Sequence, residues 1–237
     1  MAQMKPSLSI ICPTYNEESR LPLLLADVNL WPSEIDLNVV DGGSQDNTQL
    51  IAELFGARIS KTDEPNRGKQ LNQGALNSCG EWLLFLHSDS RLCSNWSSRL
   101  IEIINKESSI NYAWFFDFKI KDRRLDLSLL EIAVHFRSVF MQRPYGDQGL
   151  LITKNLYKKV GGYLNLHIME DLDLIIRLSN QTKLKRIGLP IYTDSKKWKR
   201  ISALKQSIKN ANLRARWLKG ESPRKLAEEY YGNRRKG

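Results

Sequence analysis

Trp82-Leu83-Leu84-Phe85-Leu86 is an unbroken apolar run that ends abruptly at His87-Ser88-Asp89. A strand that alternates apolar and polar residues can leave one face in water. A continuous apolar strand must be covered on both faces, as in a parallel sheet with helices on either side. In open α/β sheets, ligands collect beyond the carboxyl ends of the strands, so the polar tip His87–Asp89 lies where chemistry is expected. A carboxylate two residues from an imidazole has the donors to hold a divalent cation against a diphosphate. The same residues also suit a plain turn before a helix near Asn95, so the rest of the chain decides.

The chain repeats strand, polar loop and helix. Leu8–Cys12 reads as a first strand, left through the loop Pro13-Thr14-Tyr15-Asn16-Glu17, and Leu21, Leu24, Leu25 and Val28 form one stripe of a helix over 17–29. Leu37–Val40 reads as a second strand, running into Asp41-Gly42-Gly43-Ser44-Gln45-Asp46, where Ser44 or Asp46 can cap the next helix. A short strand at 57–60, Asn66-Arg67-Gly68-Lys69 and a helix carrying Leu71, Ala75 and Leu76 lead back to Trp82. This alternation predicts an α/β fold, a mostly parallel sheet flanked by helices, with its polar loops on one edge. Tyr112–Phe118 and Leu150–Ile152 read as further strands, Glu170 to about Ser179 as a helix, and Leu184–Ile187 as the last strand. The apolar stretch 125–141 predicts a core helix, with a helix lying on a membrane or a partner as the alternative. Basic helices follow over 203–218 and from Pro223.

Length permits one large domain, or one domain with an appendage. The sequence predicts a body at 1–188, divided into 1–118 and 119–188, and a basic helical extension at 189–237. Three cysteines without metal-ligand spacing predict a reducing compartment, here the cytoplasm. No apolar run approaches the ~20 residues of a membrane span, and the N-terminal residues do not read as a secretory signal. The net charge of +10 is unevenly placed. Residues 183–237 hold 17 Lys and Arg against 4 Asp and Glu, whereas residues 1–182 hold 19 against 22. The basic segment suits an anionic membrane surface, nucleic acid or an acidic substrate.

Taken together, the loops resemble those of the family 2 glycosyltransferases of the GT-A fold. Pro13-Thr14-Tyr15-Asn16-Glu17 is similar to the family's P-x-Y-N-E opening, and Val40–Thr48 to its V-D-D-G-S-x-D-x-T stretch, with Gly42 in place of the second aspartate. Asn66-Arg67-Gly68 matches N-x-G, His87-Ser88-Asp89 stands where the family carries D-x-D, and Glu170-Asp171 where it carries E-D. A subgroup of short bacterial enzymes, assigned by analogy to arsenosugar biosynthesis, is more similar still. It shares an H-x-D tip, Y-G-D-Q-G at Tyr145–Gly149, M-E-D at Met169–Asp171 and S-P-x-x-L-A-x-x-Y-Y at Ser222–Tyr231.

The resemblance implies an inverting transfer, from a nucleotide sugar to an acceptor hydroxyl, with a UDP-sugar and a hexose foremost. Asp171 and Glu170 would be the catalytic pair, Asp171 as the general base that takes the acceptor's proton. Pro13, Thr14, Tyr15, Glu17, Asp41, Arg67, Gly68, Lys69, Ser88 and Asp89 would bind the donor, Asp41 through the base and Arg67 through the diphosphate. Asp147 and Gln148 would line the acceptor side. Asp89 with His87 would hold a divalent metal, Mn²⁺ in preference to Mg²⁺ because imidazole replaces a carboxylate. Each residue also has a plain structural reading: Glu170, Asp171 and Asp173 as first-turn acids, Asp41 as a turn residue, Arg67 as a solvated charge. Trp198-Lys199-Arg200 reads as a closing basic lid or as surface. Two other functions are weighed. A sugar-phosphate nucleotidyltransferase normally has a glycine-rich loop after the first strand, and Pro13–Glu17 has no glycine. A basic nucleic-acid binder would show a reader motif, and none appears. Nucleic acid is therefore not an expected partner, while peripheral contact with the inner face of an anionic membrane is.

Overall fold

β1 (Leu8–Thr14), β2 (Asp36–Asp41), β3 (Arg58–Lys61) and β4 (Trp82–Phe85) pair in parallel, β1 lying between β2 and β4. The computed structural model describes residues 7–121, 124–193 and 203–232, so the Trp198-Lys199-Arg200 segment lies outside the described residues. Four further strands complete one mixed sheet: β5 (Ser90–Leu92), β6 (Ala113–Ile120), β7 (Leu150–Thr153) and β8 (Leu184–Thr193). The order is β3-β2-β1-β4-β7-β6-β8-β5, with β7 antiparallel to both β4 and β6. The chain lays β2 and β3 on one side of β1 and returns to place β4 on the other. The loops after β1 and β4 therefore part and leave a crevice at the switch point.

Side-chain alternation builds two cores, one on each face. Trp82, Leu84 and Leu86 pack with Leu8, Ile10 and Cys12 against α1 (Leu21–Val28), α2 (Thr48–Leu54) and α4 (Trp96–Ile104). Leu83 and Phe85 pack with Ile11 and Val40 against α3 (Arg67–Asn77), α6 (Lys154–Lys159) and α7 (Glu170–Ser179). The continuous apolar run at 82–86 is thus buried on both sides, as its composition requires.

Several boundaries differ from the sequence expectation for identifiable reasons. β1 runs on to Thr14, so Pro13 is buried within the strand and the loop begins at Tyr15. α1 starts at Leu21 and not at Glu17, because the Glu17 N–H donates to Thr48 Oγ1 at 2.8 Å and Asn16 sits in the left-handed region. β5 is three residues long, and its antiparallel partner β8 is a hundred residues away in sequence. Asp27 fixes it from α1, accepting from Arg91 Nε at 2.7 Å and from the Leu92 N–H at 2.9 Å. β8 extends through Thr193, so a boundary at 188 falls inside a strand.

α5 (Leu125–Val139) departs most from expectation. Leu127 and Val134 pack on Phe118 and Ile120 of β6, but Leu129, Ile132 and Phe136 are 67%, 65% and 56% exposed. Its apolar residues occupy two faces, and β6 has room to cover only one. The core-helix reading is corrected to that of a half-buried helix with an apolar outer flank. At the C-terminal end, α8 (Ala203–Leu218) and α9 (Pro223–Gly232) dock through Leu213, Leu226 and Ala227 onto Ile168, Met169 and Leu172 at the start of α7.

Candidate active site

The loops after β1 and β2 are stitched to each other. Ser44 Oγ accepts from the Asn16 N–H at 2.8 Å, Asn16 Oδ1 from the Gln45 N–H at 2.8 Å, and Asp46 Oδ2 from the Glu18 N–H at 3.1 Å. Asp41 organises this pair of loops. Its buried carboxylate accepts from five donors: Thr14 Oγ1, Ser44 Oγ, the Gly43 and Ser44 N–H groups, and Gln49 Nε2. Although burial opposes the charge, these bonds outweigh it and hold the carboxyl below the usual range. Asp41 therefore shapes the loop, with its lone pairs already engaged. Tyr15 stands exposed at the rim.

At the β4 tip, Ser88 is buried, while His87 and Asp89 are half-buried. Glu17 approaches this tip from the β1 loop. Burial pushes its carboxyl up, a bond from Arg20 pulls it back, and the Asp89 charge raises it further. His87 turns toward the other half of the molecule. A Cβ placed on Gly146 would stand 2.8 Å from His87 Nε2 and 3.3 Å from Asp171 Oδ2, so the three groups meet at one point. Among the described residues, no three His, Cys, Asp or Glu side chains gather as a metal cage.

Asn66 caps α3, its Oδ1 accepting from the Lys69 N–H at 3.0 Å. That cap presents Arg67 to the first turn of α7, where its Nε donates to buried Glu170. Gly68 lets α3 approach α7 and the loop before it, since a Cβ there would lie 2.4 Å from the Leu164 carbonyl oxygen and 3.1 Å from Glu170 Cβ. Lys69 does not join this cluster and pairs with Asp63 at 3.1 Å.

The three acids of the α7 first turn now separate. Asp173 pairs with Arg177 along the helix, Glu170 is held by Arg67, and Asp171 faces the cleft. Asp171 accepts from the Gly146 N–H at 2.9 Å and the Leu172 N–H at 2.7 Å. Burial pushes the Asp171 carboxyl up, but Arg67, the Gly146 N–H, His87 and the Leu172 N–H prevail and keep it below the usual range. Met169, just before it, adopts a left-handed φ of 66°. Such a conformation costs a non-glycine residue of order 1–3 kcal/mol, and its burial against Leu172, Leu213 and Leu226 holds it there.

The cleft in front of Asp171 has a volume of about 270 Å³. Arg67, His87, Tyr145 and Asp147 line one side, and Asn210, Leu213 and Arg214 of α8 with Tyr230 and Tyr231 of α9 line the other. Asp147 faces the cleft. Gln148 is buried away from it, donating to the Phe116 carbonyl at 3.1 Å and accepting from Ser138 Oγ at 2.6 Å. The α8 and α9 side chains are the part of the lining that sequence reasoning missed. The sequence predicts these helices, over 203–218 and from Pro223, but not which element they would cover.

A family model described as Glycosyl transferase family 2 matches residues 9–160. An uncharacterized glycosyltransferase of Haemophilus influenzae is 24% identical over 184 residues, covering 72% of this chain and 61% of that protein. A PGL/p-HBAD biosynthesis glycosyltransferase of Mycobacterium bovis is 28% identical over 193 residues, covering 73% of this chain and 69% of the relative. The chain thus spans about two thirds of the length of these relatives. Among solved structures, S. aureus TarS 1–349 in complex with UDP-GlcNAc superposes with a TM-score of 0.64 at 19% identity, covering 81% of this chain and 58% of that one. The mannosyltransferase PcManGT of Pyrobaculum calidifontis, in complex with GDP-Man and Mn²⁺, gives 0.61 at 14%, covering 80% and 57%. At these identities the likeness establishes the shared fold.

Proposed function

Because the chain belongs to glycosyl transferase family 2, we propose that it moves a sugar, a hexose, from a UDP-sugar to an acceptor hydroxyl with inversion at the anomeric carbon. Asp171 is the base. The observation that carries this reading is the sorting of the α7 acids, which leaves Asp171, of the three, facing the cleft. Direct displacement needs one base, positioned to take the acceptor's proton as its oxygen attacks. Glu170 acts on Arg67: it takes the Nε donor of a side chain that lines the cleft, where a guanidinium suits a diphosphate. The β1 and β2 loops form the seat of the nucleoside, with Tyr15 at its rim, Thr14 bracing Asp41, and Asp41 holding the loop shape.

The β4 tip fits a divalent metal of the kind held jointly by protein and nucleotide. Asp89 supplies an oxygen donor, His87 a nitrogen donor, and the described residues offer no third to make a cage. Asp89 would be the main protein ligand, with Mn²⁺ preferred to Mg²⁺. A bound metal would neutralise charge on the leaving diphosphate. The shared H-x-D, Y-G-D-Q-G, M-E-D and Ser222–Tyr231 stretches support placing the chain with the short bacterial enzymes assigned to arsenosugar biosynthesis.

A panel of nucleotide sugars, screened by thermal shift with Mn²⁺, tests the donor assignment. UDP-sugars are expected to raise the melting point, since a ligand that binds only the folded state stabilises it. No shift with any nucleotide sugar would overturn it.

We also propose reversible contact with anionic lipid, in keeping with a cytoplasmic enzyme at the inner membrane face. The outer flank of α5 carries Leu129, Ile132 and Phe136, with Phe140 just beyond its end, and the nearby α8 carries four basic residues and no acid. No helix among the described residues is long and apolar enough to cross a membrane. In sedimentation assays the protein is expected to pellet with anionic vesicles at low salt and to stay in solution at high salt. Its absence from the anionic pellet at low salt would refute the contact.

A further inference from the structure

The cations around the cleft differ in how their charge is met. Arg67 has Glu170. Arg137 lies 3.7 Å from the Tyr145 ring centre and is offset by the nearby Asp147 charge. Arg214, half-buried on α8, lies 5.3 Å from the same ring centre and has no carboxylate partner among the described residues. Arg216 on the same helix does have one, pairing with Glu221 at 2.6 Å and Glu229 at 2.7 Å. A guanidinium drawn partly out of water with no carboxylate in ion-pair contact gives up hydration that an anion would restore. Around it the wall is apolar and aromatic, with Phe118, Tyr145, Ile168, Leu213 and Tyr230. Small-molecule sites combine such walls with a few placed polar groups. At about 270 Å³ the cleft is of small-molecule size.

We propose that the wall built by α8 and α9 is an acceptor subsite for a small alcohol carrying an anionic group and an apolar body, with Arg214 as the anion's partner. The inference rests on the sugar-transfer reading, which puts the acceptor hydroxyl at Asp171. It assigns a binding role to residues beyond 160, where the family match ends. Charge supplies the selection. A neutral alcohol leaves Arg214 as it is, whereas a phosphate or carboxylate gains a charge-assisted, potentially bidentate pair.

The test is titration calorimetry with UDP and Mn²⁺ held at saturation, so that the donor's phosphate positions are filled. Phenyl phosphate and benzyl alcohol serve as matched probes on wild type, Arg214→Met and Arg214→Lys. Phenyl phosphate is expected to bind wild type at least tenfold more tightly than benzyl alcohol. Arg214→Met should remove that preference, Arg214→Lys should keep part of it, and UDP affinity should be the same in all three. Equal affinities for the two probes in wild type, or an undiminished preference in Arg214→Met, would overturn the proposal. So would a loss of UDP affinity confined to Arg214→Met, which would put Arg214 in the donor site. Failure of wild type to bind UDP at all would remove the sugar-transfer reading and this inference with it. Firm UDP binding without a preference for the anion removes this inference alone.

Discussion

Asp171→Asn is expected to lower the transfer rate by about 10²–10⁴-fold, the usual contribution of a general base, while nucleotide affinity stays at the wild-type level. The amide has the shape of the carboxylate but cannot accept the acceptor's proton. The substitution is not silent structurally, because both carboxylate oxygens take backbone N–H bonds, from Gly146 and Leu172. One of those donors would face the new amide NH₂, so the melting point is measured alongside. The informative contrast is Glu170→Gln. That change weakens the buried partner of Arg67, and its expected effect is lower stability and weaker donor binding, with transfer reduced through the donor's KM. If Asp171→Asn keeps near-full turnover, its carboxylate is a first-turn acid of α7 and nothing more.

The second large effect concerns the metal. Mn²⁺ is expected to bind the nucleotide-free protein poorly and to bind much more tightly once UDP is present. Two donors at the β4 tip are too few for a hard cation that takes six or more ligands, so the phosphates must supply the remainder. Calorimetric titration of Mn²⁺ with and without UDP, on wild type and Asp89→Ala, measures this directly. Asp89→Ala should erase the gain brought by the nucleotide, and chelation should stop transfer. Tight binding to the nucleotide-free protein, unchanged by Asp89→Ala, would contradict the assignment, as would full activity in excess chelator. His87 is the weaker of the two ligands on geometric grounds, because its ring also packs at Gly146 beside Asp171.

The parallel half of the sheet was legible from sequence because its signals are local. The apolar run at 82–86 and the stripe Leu21, Leu24, Leu25, Val28 each announce an element without reference to distant residues. β5 could not be read, since Ser90-Arg91-Leu92 becomes a strand only when β8 supplies its partner. The outer flank of α5 was hidden for a related reason. Composition shows how apolar a helix is, but only the packed fold shows how much of it β6 can cover. Within the site, motif order picked out Asp171, Arg67 and Asp89 as candidates. It did not show that Glu170 holds Arg67, that Asp41's carboxylate is engaged by its own loop, or that Gln148 faces inward. Those facts depend on side-chain orientation and pairing, from two residues apart at Asp41 and Gly43 to 103 apart at Arg67 and Glu170, which motif order does not carry.

The docking of α8 and α9 has a consequence for how such a chain can diversify. Their apolar residues form a cluster of their own with Ile168, Met169 and Leu172, and none of them belongs to the cores on the two faces of the sheet. Mutations that reshape the cleft from this side leave the central sheet, and the loops around Asp41 and Asp89, undisturbed. The one structural debt such mutations must honour is the left-handed turn at Met169. Lineages descending from a common ancestor can therefore exchange one half of the cleft while inheriting the other intact.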